Sequence, residues 1–259
     1  MRKRFYLPVF IAALLLFSCG NRKDSFTSVA LAKDYFPVQV GKYITYRVDS
    51  TVFVRSGSQV ELHSYQVKHS ITGTATDNMG RLTYIVERTL RKADGTGNWT
   101  GNGRYYITPL ENSVEVIEHN LRVIKLANPM YTGFEWKGNR YLIAPDSVSQ
   151  ASPYSDLYDT EADNDMNKWV FKYTGFGNET IEGQQYTDVC TVLQADNVLN
   201  MPPNGSSYGY KAVSSEKYAR NIGMVYRDHQ IYDFQPPNVD NPQGTYSGFG
   251  ITMWMIDHN

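Results

Sequence analysis

Three stretches of the chain carry residue types that could do chemistry. Gly205-Ser206-Ser207-Tyr208-Gly209 spells Gly-x-Ser-x-Gly. In α/β-hydrolases that turn joins a strand to a helix and lifts a serine within reach of a histidine. His229 and His258 follow it, so a serine triad is available by order. But Pro202 and Pro203 precede the turn, no amphipathic run follows, and strands do not alternate with helices along the chain. The stretch reads as a Gly/Ser-rich loop. Asp159-Thr160-Glu161-Ala162-Asp163-Asn164-Asp165 sets oxygen ligands at alternate positions, as calcium loops do. Asn164 stands where such a loop needs glycine, and Val170 stands where a bidentate Glu would close it. An EF-hand is excluded; an irregular calcium site or a solvated acidic loop remains. His63 and His69 share one strand face but lie roughly 20 Å apart at strand rise, too far for one metal. His119, His229 and His258 are scattered, with no His-Glu-x-x-His and no Cys-x-x-Cys, so no zinc site is expected. Gly95-Thr96-Gly97 and Gly101-Asn102-Gly103 flank Trp99 without the strand-to-helix context of a phosphate loop, and read as a hairpin tip. A glycosidase would need two carboxylates roughly 5 to 9.5 Å apart, and a sequence cannot pair them. No catalytic residue, metal or cofactor is expected.

The elements that would position any site are strands. Ile44, Tyr46, Val48, Val52 and Val54 alternate with Thr45, Arg47, Asp49 and Thr51, the period of a half-buried strand. Tyr65, Val67, His69 and Ile71 repeat the pattern, as do Leu82, Tyr84 and Val86. Ser56-Gly57-Ser58, Asp77-Asn78-Met79-Gly80 and Asp94-Gly95 supply turn chemistry between the runs. Further strands are expected at 105–108, 114–117, 121–126, 169–174, 187–193, 224–234 and 246–256, with His119-Asn120 turning one pair. The total is ten or eleven. Ser214 to Arg220 fits either a short helix or the start of a strand. Asp146–Asn167 and Asn197–Ser207 read as loops. The pattern predicts an all-β, mainly antiparallel meander curled into a half-barrel or open barrel, with a β-sandwich as the alternative. Tyr supplies 20 residues, which suits both strand packing and a face that stacks on a ligand. Trp99, Tyr105 and Tyr106 beside the hairpin tip, and Tyr208 and Tyr210 after the Pro-Gly loop, are candidate ligand-binding residues.

The chain opens with Met1-Arg2-Lys3-Arg4 and an apolar run from Leu7 to Phe17, too short to span a bilayer, which needs roughly 20 apolar residues. This is the form of an export signal. Ser18-Cys19-Gly20 after it resembles the lipobox of bacterial lipoproteins. The resemblance implies a signal peptide at 1–18, cleavage before Cys19 and lipidation of its thiol, a polar tether to residue 33, and a single β-rich domain over 34–259. Loss of Arg2, Lys3 and Arg4 takes the net charge from −1 to −4, which leaves no electrostatic footprint for nucleic acid. With Cys19 lipidated, Cys190 has no disulfide partner in the chain.

Asp34-Tyr35-Phe36-Pro37-Val38-Gln39-Val40-Gly41-Lys42-Tyr43 resembles the opening of uncharacterised lipoproteins of Bacteroidota-type bacteria. Glu216-Lys217-Tyr218-Ala219-Arg220-Asn221-Ile222-Gly223-Met224-Val225-Tyr226 is similar to a Tyr-Ala-x-x-Ile/Val-Gly-x-Val segment that recurs in them. The family implies a place in the envelope of a Gram-negative bacterium, anchored to the outer membrane through the lipid on Cys19. It implies no catalytic residue. The expected function is therefore non-enzymatic: binding a small-molecule, glycan, lipid or protein ligand, with a structural subunit of an envelope complex and a hydrolase as the alternatives. The lipid assignment is tested by Cys19→Ser. That variant should lose labelling by a fatty-acid analogue and leave the membrane fraction; undiminished labelling would remove the assignment.

Overall fold

The computed structural model describes residues 30–142, 166–239 and 241–259. The leader, Cys19, most of the tether and the Asp159–Asp165 run lie outside them. The described residues form twelve strands: β1 (Tyr43–Val54), β2 (Gln59–Thr76), β3 (Leu82–Lys92), β4 (Thr100–Pro109), β5 (Ser113–Glu118), β6 (Leu121–Ala127), β7 (Glu135–Trp136), β8 (Phe171–Ile181), β9 (Gln184–Leu199), β10 (Gly209–Ala219), β11 (Gly223–Gln235) and β12 (Thr245–His258). They make a single sheet in the order β6-β5-β4-β3-β2-β1-β12-β11-β10-β9-β8-β7. Neighbours are antiparallel throughout, and β1 pairs with β12, so the first and last strands join in its middle. The two edges, β6 and β7, meet across a seam. There Ile124 N–H donates to the Gly138 carbonyl at 2.8 Å, and Trp136 Nε1–H donates to the Ile124 carbonyl at 2.9 Å. The result is a nearly closed barrel with one unsealed seam. This is the expected curled meander, and a single sheet excludes the sandwich.

The strands run further than periodicity suggests. Ser214 to Arg220 is not a helix: β10 covers Ser214–Ala219, and β9 continues to Leu199 inside the expected loop. The reason is bulges, which insert a residue and shift the alternation. On β9, Ser214 and Ser215 of the neighbour pair with Ala195 and Leu193, leaving Gln194 as the extra residue. On β6, Val114 and Glu115 of the neighbour pair with Leu126 and Ile124, leaving Lys125 extra. On β11 the extra residue is Val225. The turn chemistry is local and as expected. His119 and Asn120 both take positive φ, the requirement of a two-residue hairpin.

A short 3-10 turn at Ala32–Asp34 packs at one end of the barrel. Ala32 and Tyr35 are buried in the core. Tyr35 O–H donates to Asp188 Oδ1 at 2.6 Å, and Asn221 N–H donates to the Asp34 carbonyl at 2.7 Å. Arg220 bridges Asp34 and Asp188 at 3.4 and 3.3 Å. Residues 30–34, at the end of the expected tether, therefore lie at the end of the barrel that holds the β8–β9 and β10–β11 turns. Cys190 is free and buried, and burial pushes its thiol up and away from reactivity.

One close backbone approach makes a test of this packing. Gly248 on β12 has φ +114°, and a Cβ there would stand 2.2 Å from the Ile231 carbonyl oxygen. Gly101 on β4 has nothing within 4 Å of the same position. Gly248→Ala should lower the unfolding free energy by more than about 1 kcal/mol. Gly101→Ala should change it by less than about 0.5 kcal/mol. Equal denaturation midpoints for the two variants would refute the β11–β12 approach.

Candidate functional site

The sheet register brings polar side chains to face one another inside the barrel. β10 points Ala212, Ser214, Glu216 and Tyr218 inward, all buried. On β11, Arg227 lies opposite Glu216 and His229 opposite Ser214. The bulge residues Lys125 and Gln194 reach the same point from β6 and β9. Glu216 is 1% exposed and accepts from four donors. Lys125 Nζ at 2.7 Å and Arg227 Nε at 2.8 Å meet Oε1; Gln194 Nε2 at 2.8 Å and Tyr218 O–H at 2.6 Å meet Oε2. Burial alone would raise the pKa of this carboxyl, but Lys125 and Arg227 outweigh burial and hold it well below the usual carboxylate range. Its field and four donors take up the acceptor capacity of both oxygens.

The chemistry of these groups fixes the direction of the adjoining hydrogen bonds. An ionised carboxylate only accepts, so Gln194 must turn its NH₂ to Glu216 and its carbonyl away. That carbonyl, Oε1, lies 2.6 Å from Ser214 Oγ and can only accept, so the Ser214 proton goes to it. Ser214 Oγ is also 2.8 Å from His229 Nδ1. With its one proton already given, the hydroxyl accepts there, and His229 carries its proton on Nδ1. His229 Nε2 is thus a bare acceptor on a ring that lines the cavity. A second group stands across the barrel. His69 and Arg88 pair across β2 and β3, His69 Nδ1 lies 3.0 Å from Tyr105 Oη, and Arg88 forms an ion pair with Glu118. Burial first, then Arg88 and Arg227, pushes His69 down to about 3. Burial, then Arg227 and Lys125, takes His229 down to about 3.

These groups form a belt between two compartments. The larger is a cavity of about 460 Å³ with apolar walls from Val48, Val67, Val123, Phe171, Phe249 and Met253. It reaches Asn102 and His119 at the end opposite the tether. The smaller, about 70 Å³, lies toward Phe36, Ile222 and Met224 at the tether end. His69, Arg88, Glu118, Lys125 and Arg227 line both.

The aromatic residues singled out from sequence do not share a face. Tyr105 points inward, into the belt; the alternation of β4 sends Tyr106 the other way. Trp99 lies under the Arg91 guanidinium, 4.3 Å from its ring centroid. Tyr208 and Tyr210 pack together at 6.2 Å between centroids, and Tyr210 O–H donates to Asn197 Oδ1 at 2.9 Å. Five strands lie between β4 and β10 along the sheet. Ser207 is in the β9–β10 hairpin loop, followed by a strand rather than the helix of a nucleophile elbow. The residues that do converge, Lys125, Gln194, Ser214, Glu216 and Arg227, carried no motif. The one signal available was charge at inward positions of a strand.

No protein-family model matches the chain, and no curated protein matches it. Among solved structures, a candidate exported protein with a YmcC-like fold from Bacteroides fragilis is 11% identical, with 86% of this chain and 98% of that one covered and a TM-score of 0.39. A candidate lipoprotein from Parabacteroides distasonis is 9% identical, with 87% and 98% covered and a TM-score of 0.37. A candidate outer membrane lipoprotein-sorting protein domain from Vibrio parahaemolyticus is 12% identical, with 88% of each chain covered and a TM-score of 0.20.

The buried imidazoles give stability a pH dependence with a definite sign. Folded, His69 and His229 resist protonation down to about 3; unfolded, they titrate near 6.5. Between those values the unfolded chain binds more protons, so stability falls as pH falls. Each group contributes up to about 1.4 kcal/mol per pH unit. His229→Gln, which can still donate to Ser214, should reduce the slope near pH 5 by about that amount. A stability that is flat from pH 7 to 5, or a slope unchanged in the variant, would contradict this arrangement.

Proposed function

We propose that this chain is a lipid-anchored protein of the Gram-negative cell envelope, held at the outer membrane, whose barrel takes up a small amphiphile without transforming it. The observation that carries the reading is the interior cavity of about 460 Å³, with apolar walls and a belt of fixed polar groups. Pockets for small ligands run roughly 300–1,000 Å³ and combine these two features. The leader and Cys19 support the envelope location.

A binding role is favoured over a hydrolytic one by the direction of the hydrogen bonds. A serine nucleophile gives its proton to histidine. Ser214 instead gives its proton to Gln194 and accepts from His229. His229, pushed down to about 3, is also a weak base.

The test uses the mature chain with Cys19→Ser, purified without detergent, and the neutral apolar fluorophore N-phenyl-1-naphthylamine. The fluorophore should bind with enhanced emission. Val123→Trp, which fills the cavity, should weaken binding by about tenfold or more. Val60→Trp on the exposed outer face of β2 should leave it unchanged. Equal binding by a folded Val123→Trp variant would remove the interior as the site.

A further inference from the structure

The charges inside the barrel do not balance. Arg88 and Glu118 make a neutral pair. Lys125 and Arg227, however, share the single carboxylate of Glu216. The larger cavity is lined by these three cations, these two carboxylates and three imidazoles, His69, His229 and, at the end away from the tether, His119. With the imidazoles neutral, one positive charge is in excess. The excess lies at the Lys125–Glu216–Arg227 triad, deep in the barrel.

The triad also has a direction. The Glu216 side chain is 1% exposed, whereas Lys125 is 16% and Arg227 25% exposed. Both cations line the larger cavity as well as the smaller compartment, so the surface they expose is interior wall. The carboxylate is behind them and saturated. Among the described residues, Lys125 Nζ, with three N–H groups, has one partner; Arg227 spends Nε and Nη2 on Glu216, and its Nη1 has none. Unused donors and an unneutralised charge therefore face the same void. An uncompensated buried charge is costly, and it is relieved by a paired counter-ion or by loss of the proton.

We infer that the Lys125–Arg227 edge of the belt is the head-group site for an amphiphile bearing one negative charge, with its apolar chain along Val48, Val67, Val123 and Met253. This rests on the interior-binding reading above. A singly charged anion brings the belt to neutrality. A doubly charged one overshoots it, and a neutral head leaves the excess standing. Burial lowers the Lys125 pKa against the pull of Glu216, so a second anion beside it would also strengthen its hold on the proton.

The experiment is displacement of N-phenyl-1-naphthylamine from the Cys19→Ser chain near neutral pH by decanoate, 1-decanol and decyl phosphate, which share one chain and differ in head. Decanoate should displace the probe at a concentration about tenfold below that of 1-decanol. Decyl phosphate, with between one and two charges, should do no better than decanoate. Lys125→Met removes the excess charge and leaves a neutral Glu216–Arg227 pair. It should bring decanoate and 1-decanol within about threefold of each other while probe and alcohol still bind. Lys125→Gln serves the same purpose if the Met variant does not fold. Equal displacement by decanoate and 1-decanol in the parent chain overturns the head-group site but leaves interior binding standing. A preference that survives loss of Lys125 overturns it too, and decyl phosphate displacing about tenfold better than decanoate overturns the single charge. If neither probe nor alcohol enters the parent chain, the interior-binding reading falls, and the head-group site falls with it.

Discussion

The Glu216 carboxylate is the constraint on which the barrel interior depends. A bare carboxylate in an apolar core would cost several kcal/mol even after relaxation. Four donors from four strands make it tolerable: Lys125 from β6, Gln194 from β9, Tyr218 from β10 itself and Arg227 from β11. Because the donors come from both sides of the seam, the cluster does more than satisfy one charge. Lys125 is on the edge strand β6, while Glu216 lies two strands in from β8 on the far side. Their ion pair crosses the interior and ties together the two halves that the sheet's hydrogen bonds leave open at β6 and β7. The same carboxylate orients Gln194, which orients Ser214, which fixes the tautomer of His229. One charge thus sets the polarity of a chain of groups across three strands.

Closure of the barrel uses different physics at different places. The join between β1 and β12 is an ordinary antiparallel ladder. Among the described residues the seam has few contacts, with Trp136 reaching back to Ile124 and packing at a tilt against Tyr173, 4.6 Å between centroids. At the tether end the residues that lead into β1 pack on the core: Tyr35 is buried and Phe36 packs on Tyr218 at 5.6 Å. Tyr218 therefore links these residues to the belt, since its hydroxyl donates to Glu216. Aromatic residues here serve packing and anchoring together, as expected of rings with a polar tip.

The fold was legible because its information is local. Alternation in 44–54, 65–71 and 82–86 marks β1, β2 and β3, and His119-Asn120 marks a two-residue hairpin at the position where it occurs. The site was not legible because its information is in register. Lys125 and Gln194 are the extra residues of bulges, and no bulge is visible in an alternation pattern that it interrupts. Ser214-Ser215-Glu216-Lys217 and Arg227-Asp228-His229-Gln230 are polar on both faces, so their inward members are hidden among outward ones. Short polar runs of this kind look like loops or helix surfaces until the strands beside them are known. The aromatic candidates were chosen for lying beside two expected loops, and the sheet sets Trp99 and Tyr208 about half a turn of the barrel apart.

The belt's position gives the interior a direction. Phe36 and Ile222 bound the smaller compartment at the tether end, and the larger one extends to Asn102 and His119 at the other end. Between them stand two ion pairs with a surplus cation. An apolar chain loses its hydrophobic gain if it must cross such a layer, because the charged groups would have to give up their partners. On the proposed binding role, a guest in the larger compartment would be stopped at the belt, with its head against Lys125 and Arg227 and its tail in the apolar walls beyond. The charge layer acts as the floor of the cavity, and its depth is set by the register that places Glu216 opposite Arg227.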